Sequence, residues 1–172
     1  KLDERKAYIL LSVYGFAASI FSFVIGHFWF QSPDNMVLTV LFYASLFLIG
    51  LQFGAVTLMP MIMTADCVDY YEYETGKRME GAAYSILTLT IKVCLALGTA
   101  VGLIFVQVSG YYDALGAGTF TTKTKDIIFF AYTALPGVLA LLSIFPMFKY
   151  DIVGEKKAQI SAALSQRRAG KE

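Results

Sequence analysis

Several residue types are scarce in this chain of 172 residues, and each scarcity excludes a class of protein. Only two cysteines occur, Cys67 and Cys94, and without a CxxC pair they favour two free thiols over a disulfide framework. A single histidine, His27, leaves no histidine cluster for a metal site. Charged residues make up 16% of the chain, against roughly 25% in soluble domains. Together these absences argue against a soluble globular enzyme, a disordered tail and a nucleic-acid-binding protein.

Apolar residues are abundant instead, at 57% of the chain, and they concentrate in four long blocks. Each block exceeds the roughly 20 residues that a helix needs to cross about 30 Å of hydrocarbon. Because lipid offers no partners to free backbone groups, we expect each block to be helical. The sequence therefore predicts an all-α integral membrane protein with four transmembrane helices. The predicted segments are spans at about 7–30, 36–63, 82–108 and 127–148, an inner loop at 64–81 and a cytoplasmic tail at 149–172.

Basic residues are distributed unevenly over the two sides of these spans. The amino terminus, the loop at 64–81 and the tail together hold eleven of the fourteen Lys and Arg residues. The opposite side holds two, Lys123 and Lys125. Because cytoplasmic loops carry an excess of Lys and Arg, both termini are predicted to be cytoplasmic. The tail also has amphipathic spacing, which leaves open a helix on the anionic inner leaflet or a solvated tail.

Two further features concern the membrane interface and helix packing. At the outer end of the first block, His27, Phe28 and Trp29 fit an interfacial aromatic belt, with a proton relay as the alternative role for His27. Glycine pairs at four-residue spacing occur in the second and third blocks. Because such pairs let helix backbones approach closely, we expect them to pack against other helices. These pairs are Gly50 with Gly54 and Gly98 with Gly102.

The densest charge lies between the second and third blocks, where the fifteen positions from Asp66 to Glu80 hold seven charged residues, five of them acidic. If the second helix extends to about Tyr73, then Asp66, Asp69 and Tyr73 share one face. Two interpretations stay open. The charges are either ordinary solvated loop charges or a cytoplasmic gate, whose carboxylates pair with arginines of a facing bundle and separate on opening. The candidate gate residues are Asp66, Asp69, Glu72, Arg78 and Glu80.

Lys92 lies inside the third block, about 15 Å from its inner end and so near the middle of the bilayer. An ammonium at this depth should face protein or a water-filled cavity and have a partner. Tyr84, Ser85 and Thr88 share its helix face, so three hydroxyls and an ammonium are available to bind a polyol. The alternative is a structural lysine paired with a carboxylate of another helix. The four spans contain no Asp or Glu at membrane depth, so such a partner must come from other polypeptide.

The segment Ala65 to Gly81, ADCVDYYEYETGKRMEG, together with Tyr84, Ser85 and Lys92, resembles the signature of glycoside–pentoside–hexuronide:cation symporters. The resemblance implies a twelve-helix major-facilitator fold, with this chain corresponding to its last four helices. It implies sugar:cation symport by alternating access, with sugar bound at the bilayer midplane. It also places Lys92 and Thr88 at that cavity. The resemblance assigns Asp66, Asp69 and Arg78 to the charged network that closes the cytoplasmic path.

The same resemblance implies partners and a location. We expect a sugar or glycoside substrate, membrane lipid and an absent amino-terminal helix bundle, whose carboxylates would bind most of the coupling Na⁺ or H⁺. We expect no nucleic acid, no enzymatic activity, no metal and no resident cofactor. The expected location is the bacterial inner membrane. Two positions depart from the family pattern, since Thr57 stands in place of a cavity-lining Trp and Leu87 in place of a Gln. Both changes remove sugar contacts and favour a pentoside, xyloside or glucuronide over a galactoside.

An independent four-helix membrane protein is the competing interpretation, either a small exporter or a non-transporting membrane subunit. A small multidrug exporter needs a membrane-embedded carboxylate to exchange protons for a cationic drug. None of the four spans contains one. This absence favours the symporter interpretation.

Overall fold

The computed structural model of the protein describes residues 3–169, so Lys1 and Lys171, two of the basic residues behind the predicted orientation, lie outside it. Within that range every regular element is a helix. Four stretches are long and apolar enough to cross a membrane, namely Glu4–Gln31, Met36–Thr75, Glu80–Val108 and Thr122–Met147. The prediction of an all-α protein with four long apolar helices is confirmed. The helices are α1 (Glu4–Gln31), α2 (Met36–Thr75), α3 (Glu80–Val108), α4 (Tyr111–Ala117), α5 (Thr122–Tyr132), α6 (Ala134–Leu142), α7 (Ile144–Met147) and α8 (Gly154–Ala169).

The predicted inner loop at 64–81 is wrong over most of its length, because α2 continues to Thr75. The hydropathy pattern marks only the part of a helix that suits lipid, whereas charged residues at 66–74 are compatible with further helical turns in water. The helix ends at Gly76, whose φ of 71° is left-handed and therefore suits a glycine. Only residues 76–79 separate α2 from α3.

The fourth apolar stretch is divided into α5, α6 and α7, with breaks at Thr133 and Ser143. Pro136 and Pro146 each follow a break by three residues. A proline lacks the backbone N–H and crowds the carbonyl four residues before it, so it interrupts the helix one turn upstream. The connection before this stretch contains the short helix α4.

Small residues form the face along which α1 packs against α2, α5 and α6. The buried residues of α1 are Ser12, Gly15, Ala18, Ser19, Ser22 and Gly26. A Cβ placed on Gly15 would overlap the Gln52 side chain, and one on Gly26 would overlap the Phe129 ring. The Phe129 ring leaves no room for a side chain at Gly26, whereas a side chain at Gly15 would displace the flexible end of Gln52.

The predicted glycine pairs behave differently. A Cβ on Gly50, Gly54, Gly98 or Gly102 would meet no atom within 4 Å in the described part of the chain. No helix within residues 3–169 packs against these pairs, so their packing against other helices stays a prediction. The face of α3 is open more generally, since this helix has no buried residue.

The last helix, α8, packs against the end of α2. Its Ile160 and Leu164 are buried and contact Tyr70, Tyr73 and Tyr150. The predicted amphipathic helix in the tail is therefore present, but its apolar face covers α2 instead of lying on a leaflet or in solvent. Below, the side of the molecule that carries α8 and the start of α1 is called the terminal side.

Candidate functional site

The first cluster of charge on the terminal side surrounds the buried Asp66 carboxylate. Lys157 of α8 lies 2.8 Å from Asp66 Oδ1, and its ammonium also donates to Glu4 Oε1 at 2.8 Å. The Tyr150 hydroxyl donates to Asp66 Oδ2 at 3.0 Å. These four residues, called the Asp66 cluster below, join α1, α2 and α8 at one point.

The electrostatics of the Asp66 cluster favour a charged lysine and a neutral tyrosine. Burial by itself lowers the pKa of Lys157, but hydrogen bonds to Asp66 and Glu4 outweigh it, so this pKa lies above its usual value. Burial and the negative charge of Asp66 raise the pKa of Tyr150 above its usual value. Two carboxylates therefore share one ammonium, and the phenol stays protonated to donate its hydrogen bond.

The second cluster lies further along α2 and is centred on Arg78. Its guanidinium contacts Asp69 Oδ1 at 3.2 Å, Glu72 Oε2 at 2.8 Å and Glu80 Oε2 at 3.0 Å. Arg168 of α8 contacts the same Glu72 oxygen at 3.1 Å. These five residues are called the Arg78 cluster below. The Arg78 side chain is 43% exposed, so water screens these pairs more than those of Asp66.

Hydrogen bonds to Glu72 and Glu80 raise the pKa of Arg78 above its usual value. Because the guanidinium is charged at every accessible pH, the pairing in this cluster depends on the distances between the groups and on whether the carboxylates are ionised. The Arg78 cluster is therefore suited to form and break by movement of helices.

All five predicted gate residues take part in ion pairs, but the structure divides them between two clusters. The predicted partners were arginines of a facing bundle. The structure instead supplies the partners from this chain, through Arg78 and α8. Four partners in these clusters were not predicted from the sequence, namely Glu4, Tyr150, Lys157 and Arg168. The basic amphipathic pattern of the tail was the only sequence feature that pointed to Lys157 and Arg168.

The predicted sugar-binding residues line an open groove of about 440 Å³ on α3, called the α3 groove below. Thr88 and Ser85 donate to backbone oxygens one turn earlier, at 2.8 and 2.7 Å. The Tyr84 hydroxyl approaches the Met61 carbonyl at 3.4 Å. Each hydroxyl oxygen therefore keeps acceptor capacity for a ligand. The groove is lined by Gly81, Tyr84, Ser85, Thr88, Leu89 and Lys92.

Lys92 is exposed in this groove. Within residues 3–169 the ion pairs and side-chain hydrogen bonds join other residues, and none includes its ammonium. At the depth expected for this position a lone ammonium is costly, so the groove is a place where an acceptor group would be stabilised.

A further cavity, of about 470 Å³, lies between α1, α2 and α6, and no pattern in the sequence predicted it. Its lining is largely apolar, with hydroxyls and one amide, from Gln52, but no charge. Thr57 lines this cavity and not the α3 groove. We call it the α1–α2–α6 cavity.

On the side opposite to α8, the single histidine is part of a polar contact between helices. His27 Nδ1 lies 2.9 Å from Asp126 Oδ2 of α5, and Gln31 Nε2 lies 2.8 Å from His27 Nε2. The interfacial position predicted for His27 fits its partial exposure, but the partner in α5 was not foreseen. Among the described residues no group of three or more His, Cys, Asp or Glu side chains is placed to hold a metal ion.

Comparison with known proteins places the chain in a transporter family. Residues 1–154 match the family described as MFS/sugar transport protein. An uncharacterized 29.9 kDa protein in the crtE 3' region of Pseudescherichia vulneris is 26% identical over 156 residues, which are 91% of this chain and 55% of that protein. The inner membrane symporter YicJ of Escherichia coli (strain K12) is 31% identical over 108 residues, 63% of this chain and 23% of that protein.

The glucuronide carrier protein homolog of the same organism is 28% identical over 109 residues, 62% of this chain and 22% of that protein. The chain thus spans between 22% and 55% of the length of these relatives. No solved structure matches it. The family match covers nearly the whole chain, and the charged signature at 65–81 agrees with relatives that are named symporter and carrier. The chain belongs to the MFS/sugar transport protein family, as a member of its glycoside–pentoside–hexuronide:cation symporter group.

Proposed function

We propose that this chain forms part of a sugar:cation symporter that works by alternating access, with the α3 groove contributing to the sugar site. The observation that carries the proposal is the exposed Lys92, which has no partner in residues 3–169 and is flanked by three hydroxyls. The family and the printed names of the relatives support sugar transport as the activity. The coupling cation, Na⁺ or H⁺, would bind mainly to polypeptide other than these four spans.

The terminal side is proposed to be the cytoplasmic side of a bacterial inner membrane. Its described basic residues outnumber those of the opposite side, which favours this orientation. The Asp66 and Arg78 clusters would then hold the helices together at the cytoplasmic end while the sugar site opens outward. Closure of this kind needs contacts that are strong when buried and weak when hydrated, as ion pairs at the edge of a membrane are.

The sugar site is tested by Lys92→Ala in the full-length carrier, the product of the reading frame that contains these residues. We expect loss of accumulation of labelled methyl-β-glucuronide and methyl-β-xyloside, with unchanged amounts of carrier in the membrane. The control is Lys123→Ala, which removes a lysine from the opposite side and should leave accumulation unchanged. Accumulation by the Lys92 variant at the rate of the parent would remove Lys92 from the site.

A further inference from the structure

A pocket of about 340 Å³, called the aromatic pocket below, lies on the side of the molecule opposite to α8. The end of α1, the short helix α4, the segment before α5 and α5 itself form its walls. Phe30 ends the first predicted span and Lys125 precedes the fourth, so the pocket lies at the predicted boundary between lipid and water. Its lining residues are Phe30, Tyr111, Phe120, Thr124, Lys125, Ile128, Phe129 and Tyr132.

Contacts within the chain fix the walls of the aromatic pocket. The Thr124 hydroxyl donates to the Ser109 carbonyl at 3.0 Å, which ties the start of α5 to the turn between α3 and α4. The rings of Tyr111 and Phe120 lie with their centroids 5.4 Å apart. Phe129 is buried at the base of the pocket. The pocket is therefore a defined part of the fold that needs no ligand to shape it.

Lys125 is the only charged residue among the described residues that line the pocket. Its side chain is exposed, and its ammonium lies 6.0 Å from the centroid of the Phe30 ring. Within residues 3–169 no ion pair or side-chain hydrogen bond includes this ammonium. The adjacent Asp126 carboxylate pairs with His27 instead, at 2.9 Å. The rim of an apolar pocket thus carries a positive charge without a partner in the described chain.

The lining selects among possible occupants, because it combines apolar rings with one cation. A free sugar would bring several hydroxyls to a lining whose other polar side chains are two phenols and the already bonded Thr124. Inorganic phosphate would pair with the ammonium but would leave the aromatic walls uncovered. A phospholipid fits both features, since its acyl chain covers the rings and its phosphate accepts a hydrogen bond from the ammonium.

We propose that the aromatic pocket binds one phospholipid molecule of the adjoining leaflet, with its phosphate on the Lys125 ammonium and an acyl chain against Phe120 and Tyr132. These two rings are 40% and 67% exposed, so a chain that enters from the lipid can reach them. General contact with lipid would make all exposed apolar side chains equivalent, whereas this site favours one position. The proposal requires only that the four apolar helices span a membrane, and not the proposed sugar site or orientation.

A photoreactive lipid tests the proposal. The full-length carrier is purified free of lipid in a neutral maltoside detergent, mixed with phosphatidylglycerol that carries a diazirine on one acyl chain, and irradiated. Labelled residues are identified by mass spectrometry, and we expect them to concentrate at Phe30, Phe120 and Tyr132. The comparison probe is a diacylglycerol with the same diazirine chain. Because it lacks the phosphate, we expect it to label these residues more weakly.

Matched lysine variants test the role of the ammonium. In Lys125→Ala, labelling of the pocket by phosphatidylglycerol should fall about fivefold, the effect of removing one lysine beside an anionic headgroup. Lys125→Arg keeps the positive charge and should keep the labelling. The control is Lys123→Ala, since Lys123 is also exposed but does not line the pocket, and it should label as the parent does.

Several outcomes would overturn the proposal. Labelling spread evenly over exposed apolar residues such as Leu10 and Ile20 would show contact with bulk lipid only. Equal labelling by the diacylglycerol would remove the phosphate from the site, and unchanged labelling of Lys125→Ala would remove the ammonium. Loss of labelling on addition of inorganic phosphate or methyl-β-glucuronide would assign the pocket to a free anion or to a sugar. None of these measurements depends on sugar uptake, so failure here is distinguishable from failure of the proposed transport function.

Discussion

At the scale of single residues, Lys157 has the largest role on the terminal side. It is the only group in the Asp66 cluster that carries positive charge, and it contacts carboxylates from two other helices. A buried carboxylate that loses its cation keeps the desolvation penalty without the compensating attraction. The stability of the junction among α1, α2 and α8 therefore depends on this one ammonium.

Lys157→Met is expected to destabilise the protein by about 1–3 kcal/mol, less than a fully buried pair because the ammonium is partly exposed. The measurement is the midpoint of denaturant unfolding in detergent. The matched control is Lys156→Met, since Lys156 pairs at 2.6 Å with Asp151 in a highly exposed contact. Adding Asp66→Asn to Lys157→Met should recover part of the loss. If the two lysine substitutions lowered the stability equally, the partly buried Lys157 contacts would contribute no more than the exposed Lys156–Asp151 contact.

The Asp66 cluster also predicts a dependence of stability on pH. Lys157 and Tyr150 both hold their protons more tightly in the folded chain than in the unfolded one. Their contribution is therefore complete below the unfolded pKa values of about 10, and it is lost as the pH rises through the higher folded values. Unfolding measured from pH 8 to 11 should show stability falling above about pH 10. The stability of the double variant Lys157→Met/Tyr150→Phe should fall less steeply with pH than that of the parent. Equal slopes for the two proteins would contradict the prediction.

At the scale of elements, α8 closes the end of α2. Two buried side chains attach it to the tyrosines of α2, and Lys157 and Arg168 add ion pairs at either end of the contact. The apolar and ionic contacts reinforce each other, because each holds the helix in the register that the other requires. A polar group in the apolar part should therefore release the whole helix.

Ile160→Asp is expected to detach α8, because a carboxylate cannot be buried against Tyr70 and Tyr73 without a partner. Limited trypsin digestion measures the release, since α8 contains Lys and Arg residues that a packed helix protects. We expect cleavage several-fold faster than in the parent protein. Ala162→Asp, on the exposed face of the same helix, is the control and should digest at the parent rate. Equal digestion of all three proteins would mean that α8 is not held by this contact.

At the scale of the whole molecule, the open helix faces and the two ion-pair clusters lie in different parts of the chain. The α1 face is filled by α2, α5 and α6, whereas α3 buries none of its described residues. A Cβ on Gly50 or Gly54 of α2 would meet no atom within 4 Å in residues 3–169. The ion pairs lie on the terminal side, away from the middle of α3. This arrangement suits a transporter that holds one end of its helices closed while a central site is exposed, as proposed above.

Asp69→Asn in the full-length carrier is expected to weaken the Arg78 cluster and shift the conformational equilibrium toward the state open on the terminal side. The measurement is the rate at which a maleimide reagent labels Cys67, which is exposed at the end of α2. We expect faster labelling. The control is Glu74→Gln, which neutralises a neighbouring carboxylate that forms no ion pair in the described residues. Identical labelling in the two variants would argue against a gating role.

The candidate site was partly foreseeable from local spacing. The three- and four-residue steps among Tyr84, Ser85, Thr88 and Lys92 place them on one helix face, whatever the helix packs against. The ion-pair partners of Asp66 were not foreseeable, because Glu4, Tyr150 and Lys157 are far apart in the chain. The sequence interpretation looked for these partners on another bundle, and packing of α8 supplied them instead.

The sequence by itself determined the class of the protein and its four apolar helices, because a long hydrophobic segment in lipid must satisfy its own backbone and has no other stable form. The charged signature at 65–81, together with Tyr84, Ser85 and Lys92, also indicated the family. Only the tertiary structure decided where α2 ends, which face α8 covers, which cations pair with Asp66 and Glu72, and that a groove lies between α1, α2 and α6. Those features depend on contacts between distant residues, and local periodicity carries no information about which distant partner fills a face.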